Sequence, residues 1–205
     1  MRRNTSLRSA FLSAACKIMK NKLIVLSGPS GVGKGTIVNK LLEKGNFTLS
    51  VSCTTRPPRH GEKDGVSYFF IDKQKFESEI KRGGFLEYSN HFGNFYGTPK
   101  AFVEEKLKEC NVILEIEVDG ALQVKRSHPE ALLIMIAPPD AAELRARLEK
   151  RGSETKESIA NRLSRMDYEL SKQYEYDYVV VNDVLERAVG EIESIINDKN
   201  QGEHK

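Results

Sequence analysis

Three groups of residues in this chain have types and spacings that can do chemistry. The first is Gly28, Pro29, Ser30, Gly31, Val32, Gly33, Lys34, Gly35 and Thr36, in the run GPSGVGKGT. A G-x-x-x-x-G-K stretch between an apolar run and a helical pattern is a phosphate loop. Its glycines let successive backbone N–H groups curl around phosphate oxygens with no Cβ in the way. Lys34 supplies a point charge for β- and γ-phosphates, and the helix start adds donors and partial positive charge. This is a site for a nucleoside triphosphate. The strict pattern puts Ser or Thr after the lysine as a magnesium ligand. Gly35 stands there instead, so Thr36 or water takes that role and the metal ligand stays unassigned.

The second group is built for an acceptor. Arg56 and Arg59 sit three apart on the proline-stiffened turn TTRPPR, with Tyr68 and Tyr96 further on. Guanidinium forks bind phosphate bidentately, and phenol hydroxyls complete the oxygens of a monophosphate. Glu87, with the hydroxyls of Ser52 and Thr98, suits a purine carrying two donors and a carbonyl. Guanine offers N1–H and N2–H₂ to a carboxylate and its O6 to a hydroxyl, whereas adenine has no N1–H. The third group is charged. Glu115 and Glu117 fall near the end of the run NVILEIEV, where alternation puts them on one face and acids orient metal-bound water or a substrate group. Arg145, Arg147, Arg151, Arg162 and Arg165 spread across a break at Gly152, as in a mobile cationic flap that neutralises transferring phosphoryl charge.

The elements that must position these groups follow from pattern. Residues 23–26 read as a buried strand and residues 34–44 as a helix stopped by Gly45. Residues 47–52 read as one strand, and turn signals follow at Pro57, Pro58, Gly61 and Gly65. Short strands are expected at 68–71 and 84–89, with a helix over 73–82 between them and another over 99–109. Residues 111–118 and 132–137 are apolar strands. Two helices occupy 140–173, a strand 178–182 and a last helix 184–197. Strands and helices alternating around a phosphate loop predict an α/β fold, a doubly wound parallel sheet core. An α+β nucleotide-binding insertion over about 51–102 and a helical lid over about 140–165 complete it.

At 205 residues, 39% of them apolar and 30% charged, the chain fits one soluble domain, and no apolar run approaches the length needed to span a bilayer. The net charge of +3 misleads. Six basic residues and no acidic one lie at or before Lys22, leaving 26 basic against 29 acidic residues from Leu23 onward. Charge therefore gives no argument for nucleic acid, and neither nucleic acid nor membrane is an expected partner. Cys16, Cys53 and Cys110 lack disulfide or metal spacing, which points to a reduced compartment. Residues 1–18, rich in Arg and Ser and free of acid, read as a leader that is disordered, lies upstream of a start at Met19, or is an organellar transit peptide. The expected location is the cytoplasm, or an organelle in the last case. Residues 198–205 read as a frayed tail.

Taken together, GPSGVGKGT, TTRPPRHGEKDGVSYFF, FLEYSNHFGNFYGTP, ILEIEVDG, IAPPD, RLEKRGSET and VVVND, in this order and spacing, resemble the guanylate kinases. The resemblance covers residues 22–197. It implies reversible transfer of the γ-phosphoryl of ATP to GMP with magnesium, in a fold of core, GMP-binding insertion and arginine-rich lid. It places Ser52, Glu87 and Thr98 on guanine, Arg56, Arg59, Tyr68 and Tyr96 on the GMP phosphate, and Glu115 near the guanine and the sheet end. Arg147, Arg151 and Arg162 match lid or hinge arginines, and Asn182 and Asp183 lie in the segment near the adenine. With Lys34 and Arg56, these lid arginines form the implied catalytic set. Two other readings compete. One is a scaffold module that keeps the fold but has a degraded phosphate loop. The other is a kinase for a different monophosphate such as AMP.

Overall fold

A computed structural model describes residues 21–91, 93–150 and 156–198; side chains at 91, 147, 148, 150 and 156–162 lie outside that description. The expected leader and Arg151 fall outside it altogether. Strand β1, Leu23–Ser27, is buried along its whole length, as an apolar run in the middle of a parallel sheet must be. It pairs in parallel with β7, Asn111–Glu115, on one side and β8, Leu132–Ala137, on the other. Outside these lie β2, Phe47–Leu49, against β7 and β9, Tyr178–Val181, against β8. The order β2-β7-β1-β8-β9 is the expected doubly wound parallel sheet.

Each face of the sheet has its own apolar layer. Helices α1, Lys34–Glu43, and α7, Leu185–Asn197, cover one face, with Ile37, Val38 and Leu41 meeting Ala188, Val189 and Ile192 against Ile24, Leu26 and Ile134. Helices α3, Lys100–Lys106, and α4, Val118–Ser127, cover the other, with Val103, Val118, Ala121 and Val124 on Val25, Leu114 and Leu133.

Several expectations need correction. The strand expected over 47–52 ends at Leu49, and the next strand begins only after it, in a second sheet. Ser50 N–H donates to Ile113 C=O (2.9 Å) as a last rung beside β7, and the chain then leaves for the insertion, where β3 is Cys53–Thr54. The strand over 111–118 stops at Glu115. Glu117 is not on its face but at the N-cap position of α4, a helix that pattern alone did not show. The run over 94–99, where the pattern gives no strand and expects a helix to open at Pro99, is strand β6, Asn94–Pro99.

The insertion is a four-stranded sheet of order β4-β3-β6-β5, with β4 at Phe69–Phe70 and β5 at Phe85–His91. Helix α2, Lys73–Lys81, packs on it, its first turn capped by Asp72, whose carboxylate accepts Lys75 N–H at 2.7 Å. Phe76 is fully buried, stacked on Phe85 (centroids 4.4 Å) and Phe95 (5.4 Å). Gly97 lets the rings in, since a Cβ there would lie 3.0 Å from Phe76 and 3.1 Å from Phe85. The lid region consists of α5, Ala141–Lys150, and α6, Lys156–Ser171, joined through buried Leu144 and Met166.

Phe76 is the centre of the insertion's own small core. Phe76→Ala is expected to cost about 3–5 kcal/mol of stability, read as a lowered urea midpoint, with hydrogen exchange rising first in β5 and β6; an unchanged midpoint contradicts this packing.

Candidate active site

The phosphate loop leaves β1 at Gly28, whose φ of +136° and near contact with the Ile136 carbonyl oxygen, 2.1 Å from an added Cβ, admit only glycine. Val32 is fully buried in the core layer under α1 and pins the loop from below. From the side, the Asn182 side-chain amide donates to Val32 C=O at 2.8 Å. Asn182, expected near a base, thus braces the loop, and neighbouring Asp183 pairs with Arg187. Helix α1 starts from Gly33 (φ +101°) with no side-chain cap and no acid in its first turn. Its N-terminal dipole therefore faces the loop's concavity, the arrangement that attracts phosphate. Lys34 Nζ lies across the loop, donating to Gly28 C=O (2.6 Å) and Pro29 C=O (3.1 Å).

Glu115 ends β7 directly beside this loop. Its carboxylate oxygens lie 3.6 Å from where a Cβ on Gly35 would stand, so acid and loop are in contact distance of one another. The side chain is reached by solvent, yet the surrounding cleft walls raise its pKa, with the Lys34 ammonium pulling the other way. Its charge is also felt by Tyr68, so Glu115 stands between the loop and the insertion.

On the insertion, three of the residues expected on an acceptor phosphate, Arg56, Tyr68 and Tyr96, come together, while the Arg59 side chain is exposed. Arg56 is 8% exposed. Its guanidinium lies 5.0 Å from the Tyr68 ring centroid and 5.7 Å from that of Phe70, and Tyr96 hydrogen-bonds it. The tyrosine rings meet edge-on at 6.0 Å. Glu62, which sequence reasoning passed over, holds this group together. It accepts from Arg56 Nη1 and Nη2 at 2.6 Å each and from the Arg59 backbone N–H at 2.7 Å. That bidentate pair raises the Arg56 pKa and lowers that of Glu62 to about 2, so both stay charged at any working pH. Only the motif's G-E pair after the second arginine could have signalled it.

Glu87 of β5 is 5% exposed and accepts from Thr98 Oγ1 at 2.6 Å. Gly120 of α4 closes the other side, since a Cβ there would lie 2.6 Å from Glu87 Oε2. Burial, with Glu117 adding to it, pushes the carboxyl up to about 7 against the Thr98 hydrogen bonds. Ser52, half-buried just before β3, is tied through its backbone, its carbonyl accepting Phe69 N–H at 2.9 Å.

The lid arginines are the least assembled part. Arg147 and Arg162 lie on α5 and α6, with side chains outside the described residues. Arg145 is exposed beside an open cavity of about 480 Å³ between α5 and α6 that includes no phosphate-loop or insertion residue. Arg165 is placed, 2.6 Å from Glu117. Among the described residues no three His, Cys, Asp or Glu gather as a metal cage.

A guanylate kinase family model matches residues 20–199. A guanylate kinase of Thermus thermophilus is 50% identical over 181 residues, covering 88% of this chain and 81% of that protein. That of Prochlorococcus marinus strain NATL2A is 52% identical over 179 residues, covering 86% and 96%. This chain belongs to the guanylate kinase family. The fold agrees: a crystal structure of guanylate kinase from Anaplasma phagocytophilum superposes with a TM-score of 0.69 at 35% identity, covering 86% of this chain and 84% of that one.

Within this guanylate kinase site, Glu87 makes a pH dependence of defined sign. Its folded pKa lies above the unfolded value near 4.3, so the folded state holds the proton more tightly and stability falls as pH rises from about 4 to 7. Glu87→Gln removes that penalty. Denaturation midpoints of the two proteins should nearly coincide at pH 4 and diverge in favour of the variant by pH 8, by up to about 2–3 kcal/mol; parallel curves across that range contradict the buried acid.

Proposed function

We infer that this chain is a phosphotransferase moving the γ-phosphoryl of ATP to GMP, giving ADP and GDP. The observation that carries the reading is the Glu87–Thr98 pair, a nearly buried carboxylate with a hydroxyl beside it, on the insertion of a guanylate kinase-family chain whose phosphate loop is whole. The N1–H and N2–H₂ of guanine give that carboxylate two donors, and Ser52 and Thr98 hydroxyls serve its remaining edge. Arg56 and Arg59, with Tyr68 and Tyr96, hold the GMP phosphate. The loop amides from Gly28 to Thr36 and the Lys34 ammonium hold the donor phosphates.

A phosphate oxygen of GMP attacks the γ-phosphorus while the bond from that phosphorus to the β-bridging oxygen breaks, and ADP leaves with the electron pair. No side chain needs to act as a nucleophile. Catalysis is alignment plus stabilisation of spreading charge. Arg56 keeps the acceptor phosphate in line, Lys34 follows the β- and γ-oxygens, and Arg147, Arg151 and Arg162 close over the transferring group. Gly35 rules out a side-chain ligand for magnesium at that position, so Glu115 and the exposed Thr36 hydroxyl are the groups beside the loop that fit it through water. When bound, magnesium neutralises the β- and γ-phosphate charge.

dGMP carries the same base and phosphate as GMP, so this reading includes it as a second acceptor. The reaction belongs to purine nucleotide metabolism and the recycling of GMP, and the cytoplasm is its proposed location. No helix among the described residues is long and apolar enough to cross a membrane.

A coupled assay with GMP, dGMP, AMP and UMP separates this reading from another monophosphate kinase and from a binding module. Phosphorylation of GMP and dGMP well above AMP and UMP is expected; no turnover, or AMP preferred, defeats it. Lys34→Ala and Arg147→Ala should each lower kcat roughly 100-fold or more with the fold intact by circular dichroism. For Glu87→Ala the GMP-over-AMP preference should shrink by about 10–100-fold, the worth of a charged hydrogen-bond partner; an unchanged preference would remove Glu87 from base recognition.

A further inference from the structure

Glu169 is a carboxylate where the packing asks for an apolar residue. It lies on α6 with Met166 one turn before it and Leu170 beside it, both part of apolar layers, and it is 4% exposed. Placing an ionisable group there is unfavourable unless its charge is met. Two cations act on it. Arg165 Nε on its own helix donates to Glu169 Oε1 at 3.1 Å, and the same guanidinium reaches across with Nη2 to Glu117 Oε2 at 2.6 Å, at the start of α4. Asp119 Oδ2 lies 3.9 Å from that nitrogen, and Asp119 also accepts from the Tyr168 hydroxyl at 2.8 Å. The second cation is Lys34 of the phosphate loop, close enough to oppose, together with Arg165, the rise in pKa that burial causes at Glu169.

A second buried polar feature adjoins the first. Ser27, the last residue of β1 before the phosphate loop, and Tyr176 both bury their hydroxyls. They face one another, and Glu169 and Asp119 are among the charges acting on Tyr176. Helix α6 and the start of α4 are therefore joined through one carboxylate and one guanidinium.

We infer that Glu169 is a positioning residue for phosphoryl transfer: it fixes the Arg165 guanidinium across the gap from α6 to α4, setting helix α6 in register against the start of α4. It touches no substrate. Arg162 lies three residues before Arg165 on the same helix, so the register of α6 sets the backbone position of that arginine. Removing the charge loosens this register and slows transfer, while the GMP pocket, built on β5, β6 and the Arg56 turn, keeps its affinity.

This inference rests on the ATP-to-GMP reading, and the wild-type protein in the same assay tests that reading separately. Glu169→Gln keeps the shape and removes the charge. It should lower kcat about tenfold with KM for GMP within about twofold of wild type, and Glu169→Asp, which keeps the charge, should recover a large part of the loss. In a double-mutant cycle, Glu169→Gln with Arg165→Gln should be no slower than the slower single variant, because both break one link. A purely structural Glu169 would instead lower the melting temperature and leave turnover per folded molecule alone. Should Glu169→Gln fail to fold, Arg165→Gln at the more open end of the link carries the test with the same expected kcat loss. Wild-type turnover in either folded variant, or losses that multiply in the double variant, overturns the inference; a wild type inactive on GMP overturns the underlying activity instead.

Discussion

A carboxylate wedged between two glycine-spaced surfaces sets the geometry of the acceptor half. Glu87 projects from β5 against Thr98 of β6 on one side and against Gly120 of α4 on the other. It therefore sits on the seam where the inserted sheet meets the core. Gly97 and Gly120 are both required by this arrangement: the first admits the aromatic rings that hold β5 and β6 together, and the second admits the acid itself. A group so poorly solvated, with its pKa near 7, gains most when a ligand brings N–H donors to it. Binding a base with two such donors converts an unfavourable feature of the folded protein into selectivity.

The donor half solves a different problem, which is to gather negative charge without collapsing on itself. Lys34 is held by the loop's own carbonyls, and Glu115 stands beside Gly35. The loop's shape is imposed from outside by Val32 in the core, Asn182 at the side and the Ile136 carbonyl under Gly28. A cradle fixed in this way offers its amides at little reorganisation cost, the condition under which electrostatic stabilisation is most effective. Glu62 does the equivalent work opposite, fixing Arg56 and the backbone of Arg59 with one carboxylate.

Much of this was legible in the sequence because it is local. Residues 132–137, an unbroken apolar run before two prolines, are β8, and the phosphate loop with α1 follows directly from G-x-x-x-x-G-K. The features that escaped depend on distant partners. Helix α4 was hidden by Gly120, which looks like a breaker and is small because of Glu87, 33 residues earlier. Strand β6 was missed because Gly97 and Pro99 interrupt any strand pattern and carry no hint of the rings of Phe76 and Phe85. Misplacing Glu117 on a strand followed from missing α4. Glu169 looks in sequence like half of a surface i, i+4 pair with Arg165, and only the fold shows that it is buried.

The central claim is that one buried acid reads the acceptor base while Arg56 holds the acceptor phosphate across from the phosphate loop. A crystal structure with GMP and a non-hydrolysable ATP analogue tests it directly. The account predicts guanine N1 and N2 within about 3 Å of the Glu87 carboxylate, the GMP phosphate on Arg56 and Arg59, and the analogue's β- and γ-phosphates on the loop amides and Lys34. GMP bound with its base away from Glu87, or an insertion left empty at saturating nucleotide, would contradict it.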